Sequence, residues 1–191
     1  MGVEKRMADR CNTIRLYSFQ TDVVYQVLKR DGVCYSKEEY VRKKYKESAK
    51  VFINAYGWFV KEAQHIVPKP EGAEYPYWAF TDLYNVDQTG DGHVLTLDVP
   101  IGEAILFDMF DWTKIMQMHY IGENESEEAA FSEELKNMGM NEFQIMTSNF
   151  YPEQKARIQE SWKRLFGHQQ AIEAGDNSGV HSVQAGLWCI K

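Results

Sequence analysis

The sequence predicts an α+β fold whose strands form a mixed, mostly antiparallel sheet. Three observations predict it. Segments typical of strands lie near both ends of the chain, at residues 14–20 and 182–188. Two further strand segments follow one another directly in the middle of the chain, and the helices lie in groups between these strands. Because strands and helices do not alternate regularly, a doubly wound parallel sheet is disfavoured.

Composition places the chain among folded proteins with one core. Its 191 residues are 44% hydrophobic and 14% aromatic, which is enough apolar surface for a proper core and predicts a single domain over residues 1–191. The net charge of −7 argues against a duplex nucleic acid as partner, because such partners require a basic surface.

The N-terminal third predicts a strand followed by helices. Residues 14–20 are apolar and aromatic, and Thr21 is placed to cap a helix that stops at Gly32. Ser36 with Glu39 has the spacing of a capping box. It predicts the start of a helical region, one long helix or two, that continues to about residue 65.

The middle of the chain predicts an aromatic loop and two strands. Tyrosine, tryptophan and phenylalanine crowd residues 75–84, after a stretch rich in proline that is typical of a loop. Residues 94–99 alternate as a strand, and residues 104–107 form a second short one. Asp108 or Asp111 is expected to cap the helix that follows.

The C-terminal third predicts two more helices before the last strand. Residues 123–134 contain six glutamates and are expected to form an exposed acidic helix. Pro152 and Gly167 have the positions of a helix start and stop. Residues 168–180 are polar and predict a loop.

Three features absent from the sequence bear on its cellular location and on metal binding. No apolar run approaches the roughly 20 residues of a membrane span, and the start has no signal-peptide core. Three distant cysteines, Cys11, Cys34 and Cys189, have no zinc spacing. We expect a cytoplasmic protein with reduced thiols, no membrane partner and no metal site.

Polar residues inside the two terminal strands predict a binding cleft. Strand alternation puts Ser18 and Gln20 on one face of the first strand, and Gln184 with Trp188 on one face of the last. These polar faces are expected to meet across a cleft. A glutamine amide has one acceptor and two donors, which suits recognition of an amide or an adenine edge, while the alternative is that each glutamine satisfies nearby backbone groups.

The aromatic residues around Trp78 leave two interpretations open. One is ordinary core packing, because aromatic side chains supply much of the buried area of any domain. The other is a platform on which a flat ring, such as a nucleobase or nicotinamide, stacks.

Five segments resemble an uncharacterised family of bacterial and phage proteins. They are Leu16 to Gln20, Tyr75 to Phe80, Leu97 to Pro100, Asp108 to Trp112 and Ser182 to Trp188, in the family's order and over nearly the whole chain. This resemblance implies no established reaction.

A more distant resemblance is to small ADP-ribosyltransferases, through the opening strand with Leu16 and Tyr17, the short helix ending in glycine, and the later strand–proline–strand unit. It implies NAD or a related nucleotide, bound in a cleft between sheets. Tyr17, Ser18, Gln20, Tyr77, Trp78 and Trp188 would contact the ligand. Gln184 takes the position of the family's catalytic glutamate and Ser18 that of its histidine or arginine, so ordinary transferase activity is doubtful. Asp111 is the carboxylate that could act as a catalytic group if a reaction occurs.

An alternative hypothesis is a non-enzymatic interaction protein. In that case the acidic segment 123–134 would attract a basic protein partner, for example a host protein bound by a phage or mobile-element factor.

Overall fold

One antiparallel sheet organises the molecule. The computed structural model describes residues 12–191, and of residues 44, 48, 50 and 51 the backbone alone. The strands are β1 (Thr13–Thr21), β2 (Tyr77–Phe80), β3 (Gly92–Pro100), β4 (Ala104–Asp108) and β5 (Val183–Leu187). Their order is β3-β1-β2-β5-β4, and every neighbouring pair is antiparallel. The α+β class is therefore confirmed, and within the described residues the sheet has no parallel pair.

Helices cover this sheet. They are α1 (Asp22–Asp31), α2 (Glu38–Tyr45), α3 (Ala49–Ala63), α4 (Met109–Met116), α5 (Glu125–Asn137), α6 (Glu142–Thr147), α7 (Pro152–Ser161) and α8 (Gln169–Glu173). The region after Ser36 thus holds two helices rather than one. A 3-10 segment, Trp162–His168, joins α7 to α8.

The aromatic loop prediction for residues 75–84 is wrong in part, because β2 lies inside it. This strand is only four residues long, and its side chains are buried or half-buried on both faces. It therefore lacks polar–apolar alternation, as β4 does, and the prolines before it favour a loop.

Three local predictions have different outcomes. The capping box at Ser36 is wrong: Lys37 is the N-cap of α2 without a side-chain bond, and Ser36 pairs with Tyr75 in an isolated bridge. The cap at Asp108 is confirmed, since its carboxylate accepts a hydrogen bond from the Phe110 N–H at 3.1 Å. The loop predicted over residues 168–180 contains the short helix α8.

The sheet is strongly curved. Pro100 ends β3 at one edge of the strand order, and Ala104 begins β4 at the other edge. Four residue steps reach at most about 15 Å, whereas the edges of a flat five-stranded sheet lie roughly 19 Å apart. The long β1–β3 ribbon therefore bends over one face of the three short strands.

Two cores result, one on each face of the short strands. The aliphatic face packs against the ribbon, and its cluster contains Leu16, Ala79, Leu106, Ala185 and Leu187. The aromatic face packs against the helices, and its cluster contains Phe59, Phe107, Trp112, Trp162 and Trp188. Alternation along β4 and β5 separates the two clusters.

Gly186 permits the close approach of α3 to the aromatic face. A Cβ atom at this position would lie 2.9 Å from Cζ of Phe59, closer than two carbon atoms tolerate. The glycine in β5 thus lets a fully buried phenylalanine ring rest directly on the strand backbone.

Candidate functional site

One row of ladder partners crosses the aromatic face. Tyr17 on β1 pairs with Phe80 on β2, Phe80 pairs with Gln184 on β5, and Gln184 pairs with Phe107 on β4. Paired residues of an antiparallel sheet point to the same face. The row therefore places one glutamine between two phenylalanines, with a tyrosine at the β1 end.

The amide oxygen of Gln184 has no hydrogen-bond partner. The residue is 4% exposed, and among the side-chain atoms of the described residues its Oε1 is the buried polar atom left without a partner. Such an unsatisfied group costs about 1–3 kcal/mol of folding free energy. In a native structure it requires an explanation, and a ligand that donates a hydrogen bond is one.

Aromatic rings lie over this part of the sheet. The ring centroids of Trp78 and Trp112 are 4.6 Å apart, and those of Tyr56 and Trp78 are 5.3 Å apart. Trp78 Nε1 donates to the Tyr56 hydroxyl at 2.9 Å. Burial raises the pKa of Tyr56, so this hydroxyl stays neutral and acts as a fixed acceptor.

The row is more exposed at its β1 end than at its β4 end. Tyr17, Trp78 and Phe80 are each half-buried, whereas Phe107 on the opposite side of Gln184 is fully buried. The more exposed neighbours of Gln184 are therefore Tyr17 and Phe80.

Ser18 and Gln20 do not face Gln184. They follow Tyr17 with strand alternation and lie on the aliphatic face, where the Ser18 hydroxyl donates to the Trp78 carbonyl at 2.7 Å. Gln20 Nε2 in turn donates to Ser18 Oγ at 2.8 Å. The expectation that the polar faces of both strands meet across a cleft is wrong, because the ladder register aligns Tyr17, not Ser18, with Gln184.

Tyr77 also lies on the aliphatic face. Its hydroxyl and the Cys34 thiol are 3.0 Å apart in a buried contact. Burial, with the hydrogen bond to Cys34, raises the pKa of Tyr77. Cys11, the first of the three cysteines, lies outside the described residues.

Trp188 contacts a different part of the molecule. Its indole Nε1 donates to the Val67 carbonyl at 2.7 Å, and the side chain is 4% exposed in the aromatic core. This bond ties the end of β5 to the loop after α3.

Asp111 is a half-buried carboxylate in the first turn of α4. Burial and the nearby Asp108 carboxylate raise its pKa, while Lys114 and His168 act in the opposite direction. The helix turn that carries Asp111 also carries Trp112, so the carboxylate is close in sequence to the aromatic rings, and its part in any chemistry stays a prediction.

Asp108 makes more contacts than a helix cap requires. Besides capping α4, it accepts hydrogen bonds from the His181 N–H at 3.0 Å, from His181 Nδ1 at 2.9 Å and from the Ser182 N–H at 3.3 Å. Burial alone would raise the pKa of Asp108, but these bonds outweigh it and hold the pKa below its ordinary value. No local pattern predicts this pairing, since 73 positions separate Asp108 from His181.

The acidic segment 123–134 is partly neutralised within the chain. Glu134 forms a bidentate pair with Arg157, and Glu128 pairs with Lys114 at 2.6 Å. Glu127 accepts a hydrogen bond from the Tyr120 hydroxyl at 2.7 Å. Three of the six glutamates thus hold α5 against its neighbours, which leaves a smaller negative surface than the sequence suggests.

Comparison with known proteins identifies the family. A family model described as a domain of unknown function, DUF3841, matches residues 15–191, and the chain belongs to this family. No curated protein matches, and no solved structure matches.

Residues 12–191 contain neither a helix that could span a membrane nor a cluster of three metal-binding side chains. No helix in this range is long and apolar enough to cross a membrane. Within the same range no group of three or more histidine, cysteine or acidic side chains is arranged to hold a metal ion.

Proposed function

We propose that this protein binds a nucleotide, NAD or a related one, on the aromatic face, with Gln184 as the residue that recognises its ring. The observation that carries the proposal is the buried Gln184 oxygen without a partner. A carboxamide or an exocyclic amino group supplies the N–H donor that this oxygen lacks. Binding would then recover the free energy that the unsatisfied oxygen costs the free protein.

The surrounding rings support a flat ligand. Tyr17, Phe80 and Trp78 present aromatic surface beside Gln184 and retain partial exposure. Stacking of a base on an aromatic side chain contributes about 1–3 kcal/mol. The Trp78–Tyr56 hydrogen bond holds the indole in place, so the stacking surface is preorganised.

The distant resemblance to ADP-ribosyltransferases puts NAD between two packed sheets, so it does not support the aromatic face as the site. Here the β1–β3 ribbon and the three short strands enclose the aliphatic core, and the first and last strands of the chain flank β2.

The proposed activity is binding rather than transfer. A glutamine side chain carries no charge, so Gln184 offers a developing ribosyl cation much less stabilisation than a carboxylate would. If a reaction occurs, Asp111 is the carboxylate we assign to it, since burial raises its pKa above the ordinary value.

A thermal-shift titration tests the proposal. We expect NAD, ADP-ribose or ATP at about 100 times its Kd to raise the melting temperature by about 5–10 °C. Gln184→Met keeps the length of the side chain and removes the amide, so the rise should disappear. Gln20→Met is the matched control on the opposite face and should keep it. The proposal fails if no nucleotide raises the melting temperature, or if Gln184→Met responds like the wild type.

A further inference from the structure

A separate cavity of about 350 Å³ lies beside the last residues of the chain. One wall is an isolated bridge in which Cys34 and Ile190 exchange backbone hydrogen bonds of 2.9 and 3.1 Å. The chain neighbours Val33, Tyr35 and Cys189 line the cavity at this bridge. Backbone pairing therefore holds this wall in position.

Two further segments complete the cavity, and both are held in place. The loop after α3 contributes Val67, Pro68 and Pro70. It is tied to the end of β5 by the hydrogen bond from Trp188 Nε1 to the Val67 carbonyl at 2.7 Å, and each proline ring fixes its own backbone φ. The other segment is the end of β3, Leu97 to Pro100, which is paired with β1. The cavity is therefore formed before any ligand arrives, as is usual for small-molecule sites.

The charged groups that line the cavity already have partners. Asp98 accepts two hydrogen bonds from the Arg15 guanidinium, at 2.8 and 3.0 Å. Lys191 Nζ lies 2.6 Å from a Glu103 oxygen. Burial raises the pKa of the Cys189 thiol, so this group stays protonated and neutral. Among the described residues that line it, the cavity thus offers a ligand no unpaired charge.

The volume and the lining indicate the size and polarity of the ligand. An apolar cavity of about 150 Å³ holds one benzene molecule, so a cavity of about 350 Å³ has room for two fused rings. Side chains of valine, leucine, isoleucine, proline, tyrosine and tryptophan make up most of the lining. A charged ligand would lose water here without gaining a free counter-ion, which is costly.

From this arrangement we propose that the cavity is a second binding site, which takes an uncharged, mainly apolar molecule the size of two fused rings. The ligand lies among Val33, Tyr35 and Val99, next to the Cys189 thiol. The ion pairs at the rim stay intact when it binds. This site is independent of the nucleotide proposed for the aromatic face, since a nucleotide carries phosphate charges that this cavity does not pair.

Naphthalene derivatives that differ mainly in charge test the proposal. 2-Naphthol is the neutral probe, and 2-naphthoate and 2-naphthylmethylamine are anionic and cationic analogues of similar size. We expect 2-naphthol to bind the full chain with a Kd of about 1 mM, and both ions to bind at least about fivefold more weakly. The backbone amide signals of residues 33–35, 97–99 and 187–191 follow the three titrations. Equal affinities of the three probes, or no shift of these signals with 2-naphthol, would overturn the proposal.

A variant that fills the cavity has a matched control on the surface. Val33 lines the cavity and belongs to neither core cluster, so Val33→Trp should occupy the site and weaken 2-naphthol at least about fivefold. Val23→Trp makes the same change at a position that is 69% exposed and should keep the wild-type Kd. Glu103→Gln breaks an exposed ion pair and should change the Kd by less than about twofold. Wild-type affinity in Val33→Trp would contradict the proposed location.

Protection of the Cys189 thiol tests the same location without any substitution. Cys189 is half-buried at the cavity, so a bound ligand should shield it from N-ethylmaleimide. At three times its Kd, 2-naphthol should slow the alkylation of Cys189 about fourfold by mass action. Mass spectrometry of the peptide that contains Cys189 measures this rate. The proposal is also overturned if 2-naphthol leaves the rate unchanged.

Discussion

Two glutamines are buried to nearly the same extent, and their surroundings differ completely. Gln169 at the start of α8 is 6% exposed and Gln184 in β5 is 4% exposed. Gln169 accepts the Leu106 N–H at 2.6 Å and donates to the Ala104 carbonyl at 3.1 Å. Gln184 Oε1 accepts nothing from any described residue. The hydrogen bonds of Gln169 are therefore made within the fold, whereas the fold leaves the Gln184 oxygen without a partner.

The difference follows from where each side chain meets the sheet. Gln169 lies against β4, an edge strand whose outward backbone groups have no neighbouring strand, and its amide takes the place of that strand. Gln184 lies in an inner strand whose backbone groups are already paired with β2 and β4. Its amide therefore has no backbone to satisfy, and only a partner from outside the sheet completes it.

The largest effect is expected from Gln169→Met. The change leaves the Leu106 N–H and the Ala104 carbonyl buried without partners, at about 1–3 kcal/mol each. We expect a loss of roughly 3 kcal/mol in the free energy of unfolding, measured by urea denaturation.

The matched control is Gln184→Met, which removes an unpaired amide and should leave the stability unchanged or raise it by up to about 1 kcal/mol. Equal losses of unfolding free energy in the two variants would contradict the claim that Gln169 is hydrogen-bonded within the fold and Gln184 is not.

A smaller effect is expected from Asp108→Asn. Asp108 is another buried polar side chain whose hydrogen-bond partners lie within the fold. The lowered pKa of Asp108 means that its carboxylate stabilises the fold above the unfolded value of about 3.9. That contribution is lost as the pH falls through the lowered value. Asp108→Asn should cost about 1–2 kcal/mol at pH 7, and the difference from wild type should shrink in acid. A difference that is constant from pH 7 to pH 2 would contradict this assignment.

The sequence predicted those elements whose signals are local. Residues 14–20 are apolar and aromatic and residues 94–99 alternate, and the structure has strands at both places. Gly32 ends α1 with a positive φ of 73°. Short β2 escaped prediction because it lacks alternation and follows a proline-rich stretch that is typical of a loop.

The candidate site was predictable only in its residue types. Tyr17, Trp78 and Gln184 share the aromatic face, whereas Ser18, Gln20 and Tyr77 lie on the other, and a shift of one residue in register exchanges these groups. Register depends on contacts between distant segments, such as Tyr17 with Phe80. The missing partner of Gln184 depends on every neighbouring element at once, so no local pattern reveals it.

The most direct test of the central claim is an NMR titration that observes the glutamine side-chain NH₂ groups, selectively labelled with ¹⁵N, while NAD is added. Gln184→Met assigns the Gln184 signal by its disappearance. We predict that the Gln184 signal shifts with saturation while those of Gln20 and Gln169 stay in place, because only Gln184 lies where the ligand binds. A titration with NAD, ADP-ribose and ATP in which the Gln184 signal never moves would contradict the assignment of Gln184 as the recognition residue.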